Sequence, residues 1–126
     1  MTEQRQARDE FATLAGEATG GRLILLSGTA EACAAECDRY VQTLRDLQFR
    51  TEDLTRADAF GILGSAQALG RKFEELSMGG AGSGSMRDAL GQHIETVQAM
   101  ADMFRKAGAA YTATEEGNTA NIGRST

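Results

Sequence analysis

Apolar residues in the first half of the chain repeat in steps of four and three positions. Between residues 29 and 55 the repeat consists of Cys33, Cys37, Tyr40, Leu44, Leu47 and Leu54. Residues three and four apart lie on one face of an α-helix, so this repeat predicts a long helix with a single apolar seam. Ser27 or Thr29 is the expected N-cap, because a hydroxyl oxygen can accept a hydrogen bond from an amide of the first turn.

A second seam of the same kind lies near the C-terminus. Its members are Leu90, Ile94, Val97, Ala101, Phe104, Gly108 and Tyr111. The repeat predicts a helix from Met86 to about Glu116, with Ser85 as its cap. We expect a partner to pack on the larger apolar residues of both seams. These residues are Tyr40, Leu44, Leu47, Leu54, Leu90, Ile94, Val97 and Phe104.

Glycines interrupt the helical pattern between the two seams. A helix–turn–helix corner is predicted where glycines, which adopt backbone angles closed to other residues, flank bulky apolar residues. The corner consists of Phe60, Gly61, Leu63 and Gly64. A short helix is predicted over residues 65–76. The glycine-rich segment 79–85 cannot hold a stable helix, at about 1 kcal/mol per glycine relative to alanine. It is either a tolerated loop insertion or a functional hinge or recognition loop.

These elements predict an all-α fold, an antiparallel helical hairpin whose second arm is broken by the glycine-rich loop. The hairpin domain is expected to cover residues 23–116. Residues 1–22 are polar and are expected to form a flexible arm with at most a turn or two of helix. Residues 117–126 lose the apolar period and are expected to form a flexible tail. Since two paired helices bury only one stripe each, we expect a partner hairpin to complete a four-helix bundle.

The composition agrees with long helices and restricts the choice of partners. The 126-residue chain has no proline, 6% aromatic residues and a net charge of −5. Its arginines and lysines are scattered between carboxylates, which argues against binding to nucleic acid. No apolar run approaches the ~20 residues of a membrane span, so stable membrane insertion is not expected. Residues 1–17 lack the apolar region of a secretory signal peptide. We therefore expect a cytoplasmic protein before any export.

Residues suited to catalysis or metal binding are few. His93 is the only histidine, and the only cysteines are Cys33 and Cys37, whose helical spacing is unfavourable for a disulfide. We interpret the cysteines as small core residues. His93 is interpreted as a helix-flank or interface residue, with a pH-sensing role as the alternative. No cofactor, metal site or enzymatic activity is expected, because a metal enzyme in a helical bundle needs clustered Glu and His ligands.

Tyr111 and Glu115 form the most informative polar feature of the chain. They are four residues apart near the end of the second predicted seam. This spacing places an aromatic hydroxyl and a carboxylate on one helical face, where another protein can read them together.

Two short motifs occur in a defined order along the chain. Phe60-Gly61-Ile62-Leu63-Gly64 separates two predicted helices, and Tyr111-x-x-x-Glu115 follows the second. In this arrangement the chain resembles the small helical proteins of actinobacterial type VII (ESX) secretion systems. It is most similar to the secretion-associated branch with a Phe-Gly-x-Leu-Gly corner, over about residues 23–122. The Trp-x-Gly corner of other members is replaced by Phe60-Gly61, and the acidic residue of the tail is Glu instead of Asp.

The resemblance implies a non-enzymatic, virulence-associated protein that is exported folded, usually as one of two paired helical hairpins. Tyr111 and Glu115 would then be the export signal read by the secretion machinery, with its ATPase as a further partner. The pairing would give a homodimer or a heterodimer, and the exported protein would be secreted or associated with the cell envelope. The alternative is an intracellular helical adaptor or an immunity-like binding protein with no export role.

Overall fold

The structure is a computed structural model that describes residues 2–51, 68–69, 71–72 and 86–125. The described residues form three long helices, namely α1 over Thr2–Thr19, α2 over Ser27–Arg50 and α3 over Met86–Ser125. No strand occurs in these ranges. The predicted all-α class is therefore confirmed.

α2 and α3 pack against each other in opposite directions. Near the start of α2, the amide of Leu25 donates a hydrogen bond of 3.2 Å to the carbonyl oxygen of Ala107. Near its end, Gln48 Nε2 donates one of 3.1 Å to the carbonyl oxygen of Arg87. Early residues of α2 thus meet late residues of α3, and late residues of α2 meet early ones. The two helices are antiparallel.

The main apolar core lies between α2 and α3. Its buried members come from both helices at heptad spacing, as expected for helices that pack along a common seam. They are Ala34, Cys37, Val41, Leu44, Ile94, Val97 and Ala101, with Leu90, Met100 and Phe104 packed against them. Alanines at several of these positions let the helix axes approach closely.

The buried face of α2 is rotated relative to the predicted seam. It consists of Ala30, Ala34, Cys37, Val41 and Leu44. Tyr40 and Leu47, which the apolar repeat places in the seam, are each 46% exposed and do not belong to the core between α2 and α3. That a partner packs on them stays a prediction. Small side chains on the inner face permit close packing, and the bulkier Tyr40 and Leu47 lie on its flank.

α1 corrects the expectation of a flexible arm over residues 1–22. It is a helix of 18 residues that packs on α3. Ala15 and Ala18 are buried, with 3% and 1% of their surface exposed. The apolar residues on its inner face are mostly alanines, so its amphipathic period is weak in the sequence. Packing on α3 stabilises a helix that a short polar sequence forms poorly by itself.

α1 runs in the same direction as α3 and ends in a tight reversal. The carbonyl oxygen of Gln4 accepts a hydrogen bond from Thr96, whereas Ala18 borders Ala110. After Thr19 the amide of Gly21 donates to the carbonyl oxygen of Ala18 at 3.0 Å. Gly21 has a φ of 80°, an angle that glycine adopts without a Cβ penalty. This turn directs the chain back into α2.

The helix ends differ from the predicted ones. The N-cap of α2 is Leu26, which has no side-chain capping bond because leucine carries no side-chain acceptor. The carbonyl oxygen of Leu26 accepts the amide of Ala30 at 2.8 Å, the first bond of the helix. Ser27 is therefore inside the helix. α2 is described as far as Arg50, with Thr51 as C-cap, and the predicted continuation to about Thr55 lies outside the described residues.

At the other terminus, α3 continues to Ser125 and not only to Glu116. This corrects the expected flexible tail over residues 117–126, since an established helix extends at little cost where no proline stops it.

Several predictions fall outside the described residues. They concern the corner at Phe60, Gly61, Leu63 and Gly64, the seam residue Leu54, the glycine-rich segment 79–85 and the cap Ser85.

Candidate interaction site at the end of the third helix

The position of Tyr111 is determined by the end of the α2–α3 packing. Three residues earlier, Gly108 meets the start of α2, where a Cβ added to the glycine would lie 2.9 Å from Ala30 Cβ and 3.5 Å from Ser27 Cα. Gly108 is buried, Tyr111 is half-buried, and every residue from Thr112 to Gly123 is exposed. Tyr111 therefore stands at the rim where α3 leaves the rest of the molecule.

Glu115 lies one helical turn beyond Tyr111 and is exposed. The two side chains share a shallow surface depression. Its lining residues are Tyr111, Thr112, Glu115, Glu116, Thr119 and Ala120. Among the described residues, neither the Tyr111 hydroxyl nor the Glu115 carboxylate has a hydrogen-bond or ion-pair partner within the chain. Both groups are available to another molecule.

The chemistry of this pair is suited to recognition. A phenol can donate and accept a hydrogen bond while its ring packs on an apolar surface, and an ionised carboxylate accepts bonds from Arg, Lys or backbone amides. The half-buried ring is held at the rim, so little side-chain freedom is lost on binding. A second exposed carboxylate, Glu116, adds negative charge beside the pair.

The exposed end of α3 has a weak intrinsic preference for helix. Residues 112–123 include three threonines, two glycines and two asparagines, all of which are poorer helix formers than alanine. Thr112 Oγ1 donates to the carbonyl oxygen of Gly108 at 3.4 Å, a back-bond that competes slightly with helical pairing. The order of this segment therefore depends on the packed part of α3 that precedes it.

The predicted partner-packing seam divides into two groups in the structure. Leu44, Ile94 and Val97 are buried between α2 and α3, and Leu90 and Phe104 pack against them. These residues stabilise the chain's own core. Tyr40 and Leu47 remain exposed on the flank of α2. Binding of a partner to these two residues stays a prediction.

His93 on α3 contacts both α1 and α2. The sequence predicts it only as a helix-flank or interface residue. Its Nδ1 lies 3.1 Å from Gln4 Nε2 on α1, and its Nε2 lies 3.0 Å from Tyr40 Oη on α2. The amide of Gln4 is a donor, so Nδ1 accepts and Nε2–H donates to Tyr40. The ring also meets Tyr40 edge to face, with centroids 5.5 Å apart.

The sequence indicates this contact of His93 with Gln4 and Tyr40 only indirectly. His93 belongs to the row that flanks the α3 seam, yet α1 was not expected to be a helix, so Gln4 had no predicted position.

Ion pairs add charge complementarity between α2 and α3. Arg105 of α3 reaches both Glu31 and Asp38 of α2. The hydrogen bond from Arg105 holds the pKa of Asp38 below its ordinary value.

Burial raises the pKa of the Cys37 thiol, and the nearby charge of Asp38 raises it further, so Cys37 is a poor nucleophile near neutral pH. Cys33 and Cys37 are both free thiols.

Across the ranges that the structure describes, no group of three or more His, Cys, Asp or Glu residues is arranged to hold a metal ion. Within the same ranges, no helix combines the length and apolar character needed to cross a membrane. Comparisons with protein-family models, with curated proteins and with solved structures found no match to this chain.

Proposed function

We propose that this protein is a non-enzymatic substrate or partner protein of type VII secretion, with Tyr111 and Glu115 as its export signal. The observation that carries the proposal is the exposed end of α3, where a half-buried aromatic hydroxyl and an exposed carboxylate share one face. Both groups lack partners among the described residues, as a signal must before it is read. The secretion ATPase is the proposed reader.

The proposal includes pairing with another helical hairpin. α2 and α3 form the chain's own antiparallel pair, and α1 packs on a different face of α3. Tyr40 and Leu47 leave apolar surface on the flank of α2. A partner hairpin packed there would extend the helical bundle and bury surface that water now contacts. The protein would be cytoplasmic until export and then secreted or attached to the cell envelope.

The export signal can be tested by replacing single residues on the exposed end of α3. Tyr111→Ala removes the ring and the hydroxyl, and Glu115→Gln removes only the charge. Each variant is expressed in an actinobacterial host with an active type VII system, and culture filtrate is compared with cell pellet. We expect each to lower the exported fraction at least tenfold without lowering the total amount of protein.

Ala113→Ser is the control, because Ala113 is exposed on the same segment, lies two residues before Glu115 and so on a different face, and does not line the depression. Export of the control at the wild-type level is expected. Equal export of wild type, Y111A and E115Q would refute the signal. The intracellular adaptor or immunity-like hypothesis would then be favoured.

A further inference from the structure

α1 borders the part of α3 that carries Tyr111. The end of α1 and the turn after it form one wall of a shallow groove, with Ala18, Thr19 and Gly21 on that side. The opposite wall consists of α3 residues on either side of Tyr111, namely Lys106, Ala109, Ala110, Ala113 and Thr114. The wall that α1 contributes thus lies beside α3 residues on both sides of Gly108, where the start of α2 also meets α3.

α1 is attached to α3 differently from α2. No α1 residue belongs to the apolar cluster between α2 and α3. Its described attachment consists of two buried alanines near its end and a polar group near its start. In that group, Thr96 Oγ1 donates to the carbonyl oxygen of Gln4 at 3.1 Å, and Arg8 pairs with Glu95 at 2.9 Å. α1 can therefore be disturbed while the α2–α3 core stays intact.

The polar group also contains a buried hydrogen-bond acceptor that has no partner in the described part of the chain. The side-chain oxygen of Gln4 is buried and has no hydrogen-bond partner among the described residues, although its amide nitrogen contacts His93. A buried acceptor without a partner opposes docking of the helix that carries it. Docking of α1 on α3 is therefore less favourable than the length of the helix suggests.

We propose that α1 is a positioning element for the end of α3, and that its docking controls how ordered the Tyr111–Glu115 face is. The biological relevance rests on the proposed export signal, but the structural coupling does not. When α1 is docked, Ala18 is buried, and the end of α1 forms one wall of the groove that extends along α3 to Thr114. When α1 is released, the ordered part of α3 retreats toward Gly108, because the sequence beyond is a poor helix former.

The inference is tested by a lysine at the tightest contact of α1. Ala18 is 1% exposed, so Ala18→Lys forces a long charged side chain into the contact between α1 and α3 and should release the end of α1. Ala12→Lys is the matched control, because Ala12 is exposed on the same helix and gains the same charge. Backbone hydrogen exchange is measured on the full chain of both variants and of wild type.

For A18K we expect amides of residues 109–116 to exchange at least tenfold faster, together with those of α1. Amides of residues 34–44 and 94–101 should keep their wild-type rates. A12K should exchange as wild type does throughout. Faster exchange confined to α1 in A18K, with residues 109–116 unchanged, would overturn the proposal.

A second variant tests the same coupling in case A18K unfolds the whole protein. The change Arg8→Ala removes the ion pair with Glu95 near the opposite end of α1 without adding bulk. A smaller acceleration of α1 and of residues 109–116, moving together, is expected, and acceleration of α1 alone would contradict the coupling. Because exchange is measured in purified protein, a failed export signal and a failed coupling give separate results.

Discussion

At the scale of single residues, the absence of a side chain at Gly108 decides where α2 and α3 meet. The Cβ of any other residue would lie 2.9 Å from Ala30 Cβ, closer than real contacts allow. Gly117 lies on the same helix with nothing within 4 Å of an added Cβ. The two glycines therefore have opposite consequences when replaced, which agrees with the sequence, where Gly108 belongs to the apolar seam and Gly117 lies beyond it.

Replacement of each glycine by alanine tests this distinction. Gly108→Ala gains up to about 1 kcal/mol of helix propensity but overpacks the contact with Ala30, at a cost of about 1–3 kcal/mol. We expect a net decrease in the free energy of unfolding, measured by urea denaturation. Gly117→Ala should increase helix content by circular dichroism and leave the midpoint unchanged or higher. Equal effects of the two changes would show that the helices do not approach closely at Gly108.

At the scale of the helix, the question is which apolar residues of α2 face α3. Leu44 is 3% exposed and Leu47 is 46% exposed, although both belonged to the predicted seam. Heptad spacing allows two adjacent rows on one helix, and only the partner helix selects between them. The selected row contains alanines and valine because α3 lies close.

The same truncation at both leucines separates the observed row from the predicted one. Leu44→Ala should lower the free energy of unfolding by about 2–5 kcal/mol, since it leaves a cavity in the core. Leu47→Ala should cost under about 1 kcal/mol, because its side chain is already partly in water. Chemical denaturation of the isolated protein measures both values. A large loss at Leu47 alone would favour the predicted seam.

At the scale of the whole molecule, charges link helices that are far apart in sequence. Arg105 pairs with Asp38 across the α2–α3 interface, and Arg8 pairs with Glu95 across the α1–α3 interface. These pairs are exposed, so their contribution to stability is small and decreases with added salt. Their main effect is to specify how the helices align.

The Arg105 pair makes stability depend on pH in a defined direction. The folded-state pKa of Asp38 lies below the ordinary value of 3.8, so its stabilising effect is present above that value. It is lost as pH falls through the lowered pKa. We expect the difference in Tm between wild type and Arg105→Gln to be constant near neutral pH and to shrink below about pH 4. A difference that persists at pH 2 would mean that Arg105 acts through packing and not through its charge on Asp38.

The sequence by itself determined the all-helical class and the two long seams. Leu44, Ile94 and Val97 follow the apolar period in the sequence, since helix formation and its period of about 3.6 residues are local properties. The structure buries these residues in the chain's own core. The placement of Tyr111 and Glu115 on one helical face also follows from their spacing.

Only the tertiary structure decided the rotation of α2 that exposes Tyr40, the docking of α1 and the contact of His93 with Gln4. Each depends on which surfaces meet across residues distant in sequence, and small residues such as Ala15 and Ala18 show no strong period before a neighbouring helix covers them. The energy that orders such elements comes from packing, which no local pattern records.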